Sequence, residues 1–195
     1  DISECHLQAE PTNKLRNAIR EYALTEGLSF YDIRNKTGLL RNLQLRICRS
    51  GEIMANVVFG QEAEKDIIKL LNYLVAEFPE ITSLLYTINM KANDSIFDLE
   101  PVVYTGKGYV IEKLGNLSFK IGPKSFFQTN TAQAELLYGK VKEMADLSGT
   151  EIVYDLYCGT GSIGLFCSSK AKKIIGVEVI PEAIEDAKIN AALNG

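Results

Sequence analysis

The chain has a single histidine, His6, among its 195 residues, and four cysteines, Cys5, Cys48, Cys158 and Cys167, that form no CxxC pair. That scarcity leaves no zinc-ligand spacing, and His6 is expected to face solvent or cap locally. Cys48 and Cys167 sit in or beside apolar runs and are expected to be buried, reduced thiols, as in a cytoplasmic protein. No apolar run approaches the length that spans a bilayer. Residues 1–10 lack the basic start and apolar middle of a signal peptide. There is no internal repeat and no low-complexity segment. The net charge of -4 excludes a global basic signal for nucleic acid, so any such signal has to be local. Asp1 stands in mid-pattern without a methionine, which suggests a piece of a longer chain, and a monomer is expected.

What is present is a chain 46% hydrophobic, enough for a real core and one or two domains. Residues 1–124 read as an α+β domain. Leu15, Ala18, Ile19, Tyr22 and Ala23 recur at helical spacing between Pro11 and Leu24, and Gly27 ends that helix. Leu43, Leu45 and Ile47 alternate with Asn42, Gln44 and Arg46, the pattern of a half-buried strand over Leu40 to Cys48. Ser50-Gly51 turns the chain into a partner strand over Ile53 to Phe59. A helix over Ala63 to Phe78 places Ile67, Leu70, Leu71 and Leu74 on one face. Further strands are expected over Leu84–Asn89, Val102–Thr105, Tyr109–Leu114 and Leu117–Ile121, separated by Asn, Asp and Gly turn signals.

Residues 125–195 read as the first half of a Rossmann-like α/β domain. A helix over Thr131 to Ala145 is expected to turn Leu137, Val141 and Met144 inward, with Asn130 and Gln133 resembling a capping box. Ile152–Leu156 and Lys173–Val179 read as strands buried on both faces. A helix runs between them from Ser162 to Ser168. Pro181 opens a last helix with Ile184, Ala187 and Ala191 on one face, ended by Asn194-Gly195. Strand, helix, strand, helix with short links predicts βαβ units and a parallel sheet.

The chemistry concentrates at Asp155-Leu156-Tyr157-Cys158-Gly159-Thr160-Gly161-Ser162. Gly159, Gly161 and Gly164 fit a GxGxxG turn between strand and helix, and Glu178 ends the next strand where an acid can accept from ribose hydroxyls. Glycines let a backbone approach a ligand, which suits S-adenosylmethionine, NAD or FAD alike; a purely structural turn is the third reading. Asp155 favours the methyl donor, because a carboxylate there can face an ammonium or order the loop, whereas a pyrophosphate would be repelled. Tyr157 is either a cofactor contact or an ordinary packed aromatic.

Ser125-Phe126-Phe127-Gln128-Thr129-Asn130, then a helix, then Asp155 to Gly161, together resemble the RNA uracil-C5 methyltransferase family. Gly176-Val177-Glu178 and Asn190-Ala191-Ala192-Leu193-Asn194-Gly195 fit the same pattern. The bacterial branch that methylates large-subunit ribosomal RNA is the nearer in kind. The resemblance implies an S-adenosylmethionine-dependent methyltransferase fold with cofactor contacts at Gln128, Tyr157 and Glu178 and a cofactor-proximal Ser162. Phe126 and Phe127 are expected to anchor the core. The family's cysteine nucleophile and carboxylate base are expected beyond Gly195, so residues 1–195 alone are expected to be inactive. Cys158 lies in the cofactor turn and is not expected to replace the nucleophile. Cys5-His6-Leu7-Gln8 is similar to a setting in which a cysteine supplies one ligand of a four-iron cluster, a site needing three further thiolates.

Between Ile33 and Gly51 there are five basic residues and no acid. Arg41, Arg46 and Arg49 are the candidates there for contact with ribosomal RNA phosphate, on a strand face that is otherwise simply solvated. Two rival readings stand beside the RNA enzyme. One is a methyltransferase of the same scaffold with a non-RNA substrate; the other is an RNA-binding protein with a vestigial methyltransferase fold.

Overall fold

The computed structural model describes residues 2–195; Asp1, on which the expectation of a longer parent chain rests, lies outside them. The chain forms two compact units. Among the described residues, 2–47 and 51–110 make the first, and Cys48–Ser50 with Ile111–Gly195 make the second. The division therefore falls well before the expected 124/125 boundary. The cause is the hairpin of β5 (Val110–Leu114) and β6 (Leu117–Ile121). Its strands pair with each other, not with the first unit's sheet.

In the first unit, α1 (Thr12–Glu26) precedes β1 (Leu40–Ile47), β2 (Ile53–Phe59), α2 (Glu64–Glu77), β3 (Ser83–Ile88) and β4 (Val102–Gly106). The sheet order is β1-β2-β3-β4. β1 and β4 run antiparallel to their neighbours, while β2 and β3 are parallel and joined through α2. That crossover is a βαβ unit inside the domain read simply as α+β. All seven residues of β2 are buried, as befits a central strand. α2 turns Ile67, Leu70, Leu71 and Leu74 inward, the face its spacing predicts. They pack with Leu15, Ile19 and Ala23 of α1 and with Val57, Phe59 and Leu84 of the sheet. Each fully buried leucine contributes about 1.5–3 kcal/mol relative to exposure. Tyr22 and Tyr73 stack at 4.6 Å between ring centroids. Gly27, at φ 71°, closes α1 in the left-handed conformation.

In the second unit, α3 (Thr131–Ala145), β7 (Ile152–Leu156), α4 (Ser162–Cys167), β8 (Lys173–Val177) and α5 (Pro181–Asn194) follow the hairpin. β7 and β8 are parallel, as expected. Pro181 opens α5. The Asn130 carboxamide accepts from Gln133 N and caps α3.

Three expectations about facing are corrected here. Neither β7 nor β8 is buried on both faces: Ile152, Tyr154 and Leu156 of β7 and Val177 of β8 are exposed, as is Val179 after it, because the alternate face of the sheet bears no described layer while α4 packs on the other. On α3 the inward residues are Ala134 and Tyr138, whereas Leu137, Val141 and Met144 are exposed. Tyr138 sets that rotation, its ring lying edge-on to Phe166 and its hydroxyl 3.3 Å from Ser162 Oγ. On α5 the buried residue is Asn190 rather than Ala191. Its Oδ1 accepts from Lys120 N at 2.7 Å, and Asn194 Oδ1 accepts from Ser118 N at 2.9 Å. The two amides thus satisfy the free edge of β6 as a further strand would.

Candidate functional site

The carboxyl ends of parallel strands are where open α/β sheets hold ligands, and the sequence signature lies there. β7 leads into Tyr157 and Gly159, both in the left-handed region at φ 61° and 55°. For a bulky residue that backbone is a real outlier, and such strain concentrates at functional sites. Tyr157 is also 88% exposed, so it is not an ordinary packed aromatic. Gly159 faces open space, with no atom within 4 Å of where a Cβ would stand. Gly164 has the opposite reason to be glycine: a Cβ there would lie 2.9 Å from both Asp155 Oδ2 and Ile174 Cγ2.

The turn is held from three sides. Asp155 Oδ2 accepts from Gly164 N at 2.8 Å, so of its two expected roles the structure displays the loop-ordering one. Glu178 Oε2 accepts from Gly159 N at 3.0 Å, while its Oε1 accepts from Val179 N and Ile180 N at 2.7 and 3.0 Å. Those amides of Ile180, Val179 and Gly159 hold the Glu178 carboxyl below the usual glutamate range. Asn190 Nδ2 donates to Thr160 O at 3.1 Å, tying the turn to α5. In the sequence Asn190 stood within the stretch that fits the family pattern, but nothing there marked its side chain as the tie between α5 and the turn.

The arrangement brings Asp155, Tyr157, Gly159, Gly161, Ser162 and Glu178 to one strand–turn–helix junction. Gln128 lies exposed on the connection between β6 and α3, with no hydrogen bond to the turn among the described residues. That connection is itself anchored: Gly122 N donates to Ser125 Oγ, which donates to Asp186 Oδ2 on α5. Phe127 is buried against Phe119, but Phe126 is 72% exposed, so only one of the two phenylalanines anchors the core. The donor set suits an adenosyl ligand. Glu178 Oε2 has one described partner and a carboxylate oxygen can accept two bonds, Tyr157 offers a free ring, and Gly159 leaves room for close approach.

Cys158 is half-buried, and burial, followed by the Asp155 and Glu178 carboxylates, pushes its thiol up. A thiolate is disfavoured there, which suits neither nucleophile nor metal ligand. Cys48 and Cys167 are buried and outside any disulfide, as expected. The Cys5 amide donates to Asn13 Oδ1 at 2.8 Å, fixing its backbone to α1. His6 is exposed and lies 3.7 Å from Glu4. Among the described residues no three histidine, cysteine, aspartate or glutamate side chains cluster as metal ligands. The residues present therefore do not by themselves fit a four-iron cluster.

The three arginines are placed differently from expectation. The Arg41 side chain is only 1% exposed. Its Nη1 donates to Asn89 O and Lys91 O at 2.7 and 2.6 Å, and its Nη2 to Asn93 O at 2.8 Å and Asp94 Oδ1 at 3.0 Å. Its Cζ lies 4.2 Å from the Tyr31 ring centroid. Arg41 is thus a clamp on the 89–94 loop and not a phosphate ligand, since every face of the guanidinium is occupied. Arg49 pairs with Glu135, which lowers that carboxyl below its ordinary range. Arg46 is half-buried and engaged within the protein. An RNA role for Arg46 and Arg49 would require exchanging these partners for phosphate. No helix among the described residues is long and apolar enough to cross a membrane.

No family profile matches the chain. It is 48% identical to an uncharacterized RNA methyltransferase of Bacteroides thetaiotaomicron, over 99% of this chain and 43% of that protein. It is likewise 48% identical to one of Porphyromonas gingivalis, over all of this chain and 42% of that protein. The chain thus spans less than half the length of these relatives. Among solved structures it is similar to the Pyrococcus abyssi tRNA (uracil-54, C5)-methyltransferase in complex with S-adenosyl-L-homocysteine. That match has a TM-score of 0.80 and 28% identity, over 100% of this chain and 47% of the other.

Proposed function

Along its whole length this chain is akin to RNA methyltransferases, and we propose that it supplies the S-adenosylmethionine-binding turn of an enzyme that methylates carbon 5 of uridine in RNA. The observation that carries the reading is the junction of Tyr157, Gly159 and Glu178, an exposed aromatic, an open glycine and an ordered carboxylate at the strand ends. The bound cofactor supplies an electrophilic methyl group on sulfur. Glu178 accepts from the ribose hydroxyls with lone pairs its backbone partners leave unused. Tyr157 covers a flat face of the ligand, and Gly159 admits its approach. Asp155 and Asn190 keep the turn in shape. Ser162 and Gln128 stand as further contacts on the strength of the family resemblance alone.

The uracil-C5 assignment is supported by that resemblance and by the likeness to the Pyrococcus abyssi tRNA (uracil-54, C5)-methyltransferase. The thiolate that adds to carbon 6 and the base that removes the carbon-5 proton are assigned to parts of the relatives' length beyond this chain. The disfavoured thiolate of Cys158 is consistent with a nucleophile elsewhere. Ribosomal RNA as substrate follows from the same resemblance, as does a place for Cys5 as one ligand of a four-iron cluster completed outside these residues. The cytoplasm as compartment rests on the reduced thiols, and a monomer is the working unit we expect.

The test is methyl transfer by the whole protein to undermethylated ribosomal RNA, with nucleosides identified by mass spectrometry. 5-Methyluridine is the expected product. A methyl group on another base or atom overturns the uracil-C5 reading, and cofactor binding without transfer to any RNA points to the vestigial scaffold.

A further inference from the structure

Within the first unit a cavity of about 570 Å³ opens beside α1 and β1. That lies in the range of small-ligand sites, roughly 300–1,000 Å³. Ile19, Leu24, Phe30 and Leu43 form an apolar wall, Arg16, Arg41 and Asn42 add polar groups to the lining, and no carboxylate is among the lining residues. Leu24 and Phe30 are 59% and 48% exposed. Exposed apolar area of this kind, with the Arg16 cation at its edge, marks recognition rather than core.

The wall is pre-organised. Phe30 forms a bridge with Leu40, and Tyr31 N donates to Leu40 O at 2.8 Å. Gly38 approaches so closely that a Cβ on it would stand 2.3 Å from Phe30 O. The Phe30 ring is thus presented on a pinned backbone. Arg41 turns its guanidinium to the 89–94 loop and gives the cavity its stem, so it buttresses the wall. Arg16 donates through Nη2 to Asn13 Oδ1 at 3.2 Å, a neutral acceptor that leaves its charge uncompensated.

A ligand that matches this lining has a flat, weakly polar face and an anionic group. Resting on the RNA methyltransferase reading, we propose that the cavity holds one unstacked nucleotide of the RNA substrate. Its base lies against Phe30 and its phosphate toward Arg16, making an anchoring site additional to the cofactor turn. Paired bases cannot enter such a pocket, so the site selects single-stranded or flipped nucleotides.

The experiment uses the whole protein and a ribosomal RNA fragment that the wild type methylates. Phe30→Ala is expected to weaken RNA binding about tenfold, the usual loss when a base loses its stacking partner, and Phe30→Tyr to restore it. Arg16→Gln is expected to reduce the slope of log affinity against log salt by about 0.7, one single-strand phosphate contact. S-adenosylhomocysteine affinity should stay unchanged in all three, and 4-thiouridine crosslinks should map to residues 16–43. Unchanged RNA affinity in Phe30→Ala overturns the proposal, as does failure of Phe30→Tyr to restore binding or a crosslink map without that region. An effect confined to assembled ribosomal particles overturns it in favour of a protein partner. A wild type that methylates no RNA overturns both this site and the functional reading.

Discussion

Glu178 is only half-buried, yet three backbone amides converge on its carboxylate. Removing it should cost the ligand its ribose acceptor and loosen the Gly159 turn together. Glu178→Ala in the whole protein is expected to weaken S-adenosylhomocysteine binding by about ten- to a hundredfold, read by calorimetry; unchanged affinity in a folded variant removes the ribose role. The pH dependence has a definite sign. The folded carboxyl lies below the usual glutamate value, so its contribution is fully present above that value and is lost as pH falls through the depressed one. Cofactor affinity should therefore hold from neutral pH into the ordinary carboxylate range and decline only below it. Cys158 makes the converse case. Its raised thiol should alkylate slowly near neutral pH, and Cys158→Ala should retain transfer to within about threefold; a loss beyond about a hundredfold would make it the nucleophile.

Between α4 and its flanking strands, clearance is the controlling quantity. Gly164→Ala places a methyl 2.9 Å from Asp155 Oδ2 and Ile174 Cγ2, atoms of a short carboxylate and a β-branched side chain with little freedom to yield. Denaturant unfolding should show a loss of about 1–3 kcal/mol. Arg41→Lys tests a different element, the 89–94 loop. Lysine cannot span the three carbonyls and the Asp94 carboxylate at once, so amide exchange across Asn89–Ser95 should quicken while the β1–β2 pairing stays protected. Element faces and turns were readable wherever the determinant was local. The period of Ile67, Leu70, Leu71 and Leu74 predicts the buried face of α2, and Gly27, Pro181 and Asn130 mark helix ends by their own backbone chemistry. Distant partners were not readable. Arg41 bonds to Asp94, 53 positions away, and Asn190 to Lys120, 70 positions away, and no short-range pattern announces either pairing. The exposed alternation of β7 escaped for a related reason, since a strand's own residues do not say how many layers cover it.

For the molecule as a whole, two compact units imply separable responses. A ligand on the β7–α4–β8 junction stabilises what binds it, by about 2.7 kcal/mol at a hundredfold excess over its Kd. Hydrogen exchange with and without S-adenosylhomocysteine should therefore show added protection in residues 152–180 and little in β1 to β4. Equal protection throughout would mean the two units respond as a single body. The division also runs across the chain in an uneven way. Cys48–Ser50 belongs with the second unit although both flanking stretches belong to the first. Within that second unit Arg49 N donates to Glu112 Oε1 at 2.8 Å, and Thr131 Oγ1 donates to Glu112 Oε2 at the same distance. A polypeptide begun at Ile111 would lack those three residues and leave a carboxylate only 4% exposed short of a donor. The two units therefore cannot be shuffled between proteins as contiguous cassettes: any recombination that transplants the second unit must carry the Cys48–Ser50 tripeptide with it, and a graft made at one splice point inherits a defect at Glu112.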